Sequence, residues 1–168
     1  MKKNIYILLL FSVTFAHGQS YEEYWDRWNS RYPETDIISV LKFERDYADS
    51  VRKNPDIVQY YLRQATYRFD AEYLGKTRKT RKEVIDSMKR VFKIFGGDPT
   101  QLDGLVKKDV LFRVKHEDIW MPIQPNVLKA LKKEVKKGAT VKLYCVFFNE
   151  HISENELYIT FHISEFYY

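Results

Sequence analysis

The apolar residues of this 168-residue chain change period near residue 100, and that change calls for two kinds of structure in series. Upstream the spacing is helical. Thr35 and Asp36 precede a run that places Ile37, Leu41, Ala48 and Val51 on one face, with the short polar residues suited to cap it. Asn54-Pro55 then offers a cap followed by proline at a first helical position. Val58, Leu62, Ala65, Phe69 and Tyr73 recur every three or four residues and predict a second helix, weakened at Gly75. A third begins near Thr80 with Val84, Met88, Val91 and Phe95 on its stripe, and Gly96-Gly97-Asp98-Pro99 stops it. Tyr21 to Arg31 reads as a short additional helix ending before Pro33.

Downstream the signal turns strand-like. Val110–Val114 and Ile119–Ile123 are β-rich runs, the second assigned to a sheet edge because Pro122 has no N–H to give a ladder. Pro125 to Lys137 reads as a helix with Leu128, Leu131 and Val135 inward and its lysines in water, ended by Gly138. Two longer strands, Thr140–Phe148 and Leu157–Phe166, flank the polar segment 149–155, which reads as a hairpin loop. The expected fold class is α+β. A helical region over residues 19–100, with three to four helices, precedes a small antiparallel sheet with one inserted helix over residues 101–168. The sheet is expected to curl in the manner of an OB-type half barrel, and both regions fit within one domain.

Residues 1–18 carry a different message. Lys2 and Lys3 open the chain, Ile5 to Ala16 is an apolar run, and Ala16-His17-Gly18 sets small residues before Gln19. That is the pattern of a cleaved signal peptide. The run is shorter than the roughly 20 residues a membrane span requires, and Gly18-Gln19-Ser20 offers no cysteine for lipidation. The expectation is a periplasmic or secreted protein with neither membrane span nor lipid anchor. Losing Lys2 and Lys3 lowers the formal charge from +5, too little excess to call for a polyanion. The chain has a single cysteine, Cys145, so no internal disulfide can form. Its neighbours Val141 to Phe148 are apolar, and a thiol among them behaves as a small buried hydrophobe.

Two surfaces stand out as candidates for binding. Lys76, Arg78, Lys79, Arg81 and Lys82 crowd into one short run, read as a loop or opening turn where cations can converge on an anion, with a solvated connector as the plainer alternative. No nucleic-acid recognition motif accompanies it. Aromatic residues make up 16% of the chain, and they are densest at Tyr21, Tyr24, Trp25 and Trp28, which helical spacing makes either a contact surface or a packing arm. The terminal trio Phe166-Tyr167-Tyr168 directly continues a strand and is expected to cover core. For catalysis the chain offers His116-Glu117-Asp118, His151 with Glu154, and His162 with Glu165. No H-E-x-x-H, G-x-S-x-G or glycine-rich phosphate loop is present, and on a regular strand His162 and Glu165 would face opposite ways. The sequence therefore assigns no catalytic, metal or cofactor-binding residue and calls for no cofactor. It reads as a non-catalytic binding module for a protein or another envelope component. A small hydrolase of envelope glycans and an immunity or inhibitor protein are the alternatives.

Overall fold

A long strand, in a stretch whose apolar spacing suggests a helix, organises the molecule. The computed structural model describes residues 21–54, 56, 61–153 and 156–168. The signal-peptide pattern of residues 1–18, and Pro55 and Val58 of the expected second helix, lie outside the described residues. Helix α1 (Tyr21–Arg31) is followed by α2 (Ile37–Lys53), whose N-cap Asp36 accepts the Ile38 N–H. Next comes strand β1 (Tyr61–Lys79), where a helix had been expected. The cause is visible in the spacing. Intervals of four suit either period, and the residues between decide: Tyr67, Phe69, Ala71 and Tyr73 alternate inward while Arg68 and Asp70 point away. Tyr, Phe and Thr are also better strand than helix formers.

Helix α3 (Lys82–Ile94) precedes a 3-10 turn at Pro99–Leu102, then β2 (Lys108–Val114), β3 (Glu117–Ile123), α4 (Pro125–Glu134), β4 (Thr140–Ser153) and β5 (Glu156–Tyr167). The described residues thus hold four α-helices and a mixed five-stranded sheet, an α+β arrangement. The sheet closes into a barrel in the order β1-β2-β3-β5-β4. Strand β1 is long enough to pair antiparallel with β4, from Tyr61↔His151 to Glu72↔Thr140, and then with β2 up to Lys79↔Lys108. The β2 ladder begins at Glu72↔Arg113, where the β4 ladder ends, and it bulges between Tyr73 and Thr77, where Gly75 takes φ +72°, a conformation open to glycine. Closure comes from one parallel pair, Ile123↔Ile163. Strand β3 is therefore not the free edge that Pro122 suggested; that proline sits opposite Asp109 in the β2–β3 ladder.

The barrel interior is filled by Phe69, Phe112, Met121, Leu143, Cys145, Phe147, Phe161 and Ile163, with α2 adding Ile37 and Leu41, and α4 adding Val127, Leu128 and Leu131. A second cluster lies outside the barrel, where Tyr144, Val146 and Phe148 of β4 meet Val84, Met88, Val91 and Phe92 of α3. Phe92 occupies the buried place expected of Phe95, which is 42% exposed. Gly97 lies close against it: a Cβ there would come 2.5 Å from the Phe92 ring. Strand β4 also runs on through Asn149, Glu150 and His151, all buried, where polarity had suggested the start of a loop.

Candidate functional site

Helix α1 is an aromatic arm laid across the outside of β4 and β5. None of its residues is fully buried, and it is held by rings. Trp25 stacks on Tyr144 at 5.6 Å between centroids, Trp28 meets Tyr144 and Tyr32 edge-on or tilted, and Trp25 packs against Tyr167 at 4.9 Å. Hydrogen bonds fix its C-terminal half: the Tyr144 hydroxyl donates to Asn29 Oδ1, the Arg68 guanidinium to the Asn29 carbonyl, and Thr66 Oγ1 to the Arg31 carbonyl. Of the four expected contact residues, Tyr24, Trp25 and Trp28 are half-buried in this packing and Tyr21 is 67% exposed. Tyr21 does not stand alone. Its ring lies 6.5 Å from that of Tyr167, which is 41% exposed, and Tyr168 beyond it is 61% exposed. Only Phe166 of the terminal trio covers core. Alternation along β5, with Phe166 opposite Leu143 and Tyr167 opposite Lys142, is the signal that could have placed Tyr167 outward.

Beneath the arm lies a polar face that strand periodicity hides. The β4–β5 register shifts between Tyr144 and Cys145, so that His162 faces Val146 while Glu165 faces Tyr144. Val146 and Tyr144 both belong to the outer cluster, and the extra residue, Ser164, brings His162 and Glu165 to the same side. The expectation of opposite faces assumed a regular strand and is overturned by the bulge. Glu165 Oε2 accepts the Tyr24 hydroxyl at 3.0 Å and Oε1 accepts the Phe166 N–H. Burial raises the carboxyl pKa of Glu165; burial, followed by the neighbouring Glu165 charge, pushes Tyr24 up to about 12. Burial drives the His162 imidazole down to about 4. His162 Nε2 and Trp25 Nε1 are buried with no hydrogen-bond partner among the described residues.

The basic run is dispersed. Lys76, Arg78 and Lys79 lie in β1, Arg81 is the N-cap of α3, and Lys82 starts that helix. Arg78 is structural: its Nε donates to the buried Asp109 at 2.9 Å, and its guanidinium lies 4.3 Å from the Trp120 ring centre. Thr80 Oγ1 donates to the other Asp109 oxygen, and Lys82 pairs with Asp86.

A second polar cluster joins α2 to the barrel. Glu44 is fully buried; it accepts Arg63 at 2.7 Å on one oxygen and Asn149 at 2.6 Å on the other, while Arg63 also donates to the Tyr67 hydroxyl. Burial raises the Glu44 pKa against the pull of Arg63. On the outer face Glu150 takes both arms of Arg90 from α3. Glu117 and Asp118 lie at the start of β3 and not in a turn, where Glu117 holds Arg45 and Asp118 holds Arg113. Burial raises the Cys145 thiol pKa. Among the described residues no group of three or more His, Cys, Asp or Glu is placed to hold a metal ion, and no helix is long and apolar enough to cross a membrane. No protein-family model, curated protein or solved structure matches the chain.

Proposed function

We propose that this chain is an exported, non-catalytic recognition module that binds a protein of the cell envelope through the patch formed by Tyr21, Trp25, Tyr167 and Tyr168. The observation that carries the reading is the contact of rings from two distant segments, Tyr21 and Trp25 in α1 and Tyr167 at the end of β5, with the exposed Tyr168 next in sequence. Tyr and Trp are the residues that dominate protein-binding hot spots, since each brings a large rigid apolar ring and a polar tip. The rings are backed by packed ones, Trp25 on Tyr144, so the patch is held in shape before a partner arrives. Export rests on the Lys2 to Gly18 pattern. An OB-type barrel is supported by five strands closed in a ring with a helix between β3 and β4. A glycan hydrolase has weaker support, because Glu44 and Glu150 are tied to arginines and Glu165 is covered by α1.

A photo-crosslinking residue at position 167, compared with one at the exposed Lys129 of α4, tests the surface in the native cell. The reading expects a discrete crosslinked protein from position 167 that disappears when Tyr21 and Tyr168 are changed to Ser. Equal, diffuse crosslinking from both positions would refute it.

A further inference from the structure

We propose that the open end of the β1–β2 ribbon binds phosphate groups through four cations drawn from two distant segments: Lys79 and Arg81 from one, Lys107 and Lys108 from the other. Lys79 and Lys108 are direct register partners, and the Thr80 N–H donates to the Lys107 carbonyl, so the two segments lie side by side. All four cationic residues are exposed, and Thr80 between Lys79 and Arg81 is buried, which turns both flanking side chains to the solvent side. Like charges directly opposite one another on paired strands are destabilising. The acid that could relieve them, Asp109, is buried and committed to Arg78 and Thr80. None of the four pairs with an acid among the described residues, whereas their neighbours Arg78 and Lys82 do. The fold thus concentrates positive charge at the end of the β1–β2 ladder, with Glu83 in the first turn of α3 as the acid close in sequence, and a multiply charged anion relieves that placement.

The chemistry favours phosphate. Lysine ammoniums act on it as compact point charges and an arginine fork can take two of its oxygens. Arg81 is also the N-cap of α3, and no side chain caps that helix, so its first amides add donors of the right sign. The site differs from the contiguous run 76–82. Arg78 and Lys82 are removed from it by Asp109 and Asp86, and Lys107 and Lys108, remote in sequence, replace them.

Tripolyphosphate, followed by calorimetry at low salt, and vesicles of phosphatidic acid in phosphatidylcholine, followed by co-sedimentation, are the two probes. The Lys79→Gln/Lys107→Gln/Lys108→Gln variant should lose affinity about tenfold or more. The Lys76→Gln/Lys82→Gln variant, which removes two charges from the contiguous run 76–82 but none from the proposed site, should stay within about twofold. Binding to tripolyphosphate alone assigns the site to soluble phosphates; binding to vesicles alone assigns it to lipid headgroups. With no probe bound, the Lys79→Gln single variant should melt higher by about 1–3 °C, because an opposed like charge is gone. Failure of both probes, or equal losses in the two multiple variants, would overturn the proposal. So would a Lys79→Gln variant that melts lower.

Discussion

His162 sits in the second apolar layer with no room for a charge. Its imidazole is 1% exposed and titrates at about 4, against 6.5 for the free side chain. The unfolded chain therefore binds a proton between those values that the folded chain refuses. Stability from this residue is complete above about pH 6.5 and is lost as pH falls toward 4, to a limit of about 3 kcal/mol. Glu165 and Glu44 act in the opposite sense: their raised carboxyl pKa values favour the folded state at low pH, and that contribution fades as pH rises. Replacing His162 by Phe isolates the histidine. Urea titrations should show the variant gaining stability over wild type at pH 4.5 relative to pH 7.5, by about 2 kcal/mol. An identical difference at both pH values would show that His162 is protonated without cost. The sequence marked this residue only as half of a histidine–glutamate pair. Its burial could not be read because the bulge at Ser164 breaks the alternation that such a reading depends on.

Strand β1 shows at the level of the element what was legible and what was not. The helices α2, α3 and α4 were plain in the sequence, since each pairs a helical apolar stripe with a start or stop signal, such as Asp36, the glycine pair 96–97 or Pro125, although α4 ends at Glu134 and not at Lys137 before Gly138. β1 was not, because Ala65, Phe69 and Tyr73 satisfy both periods and the strand's identity is fixed by pairing with β4, from Tyr61↔His151 to Glu72↔Thr140, far away in sequence. Asn149 to His151 were misread for a related reason: polarity usually means loop, but here the polar side chains are consumed by α2 and α3. The Glu44–Arg63–Asn149 cluster is the result, and it fastens α2 over one end of the barrel. Removing one charge strands the other. Arg63→Met should cost about 3 kcal/mol, whereas the double variant Glu44→Leu/Arg63→Met should recover most of the loss. Chemical denaturation of the three proteins checks this, and equal losses in single and double variants would show that the two side chains are not coupled.

Among the described residues the sheet closes into a barrel through the one parallel pair Ile123↔Ile163, and the large exposed rings outside it offer a partner side chains to meet. Among the described residues the exposed large apolar side chains gather in few places: Tyr21 and Tyr167 at the arm with Tyr168 next in sequence, Ile94 and Phe95 at the end of α3, and Phe43 on α2. Half of the arm patch was visible in the sequence as the aromatic cluster 21–28. The other half was not, because nothing local tells that the last two residues return to lie beside the first helix. The proposed contact surface exists only once the barrel has closed, and Trp25 lies at its centre, touching Tyr21 and Tyr167. With Trp28 and Trp120 changed to Phe, Trp25 becomes the sole tryptophan of the chain and reports on the patch directly. Titrating that variant with native envelope extract should shift its emission to the blue and saturate, and adding Tyr21→Ser, Tyr167→Ser and Tyr168→Ser should abolish the shift. Emission that stays unchanged throughout, or a shift that survives loss of the three tyrosines, would contradict recognition through this surface.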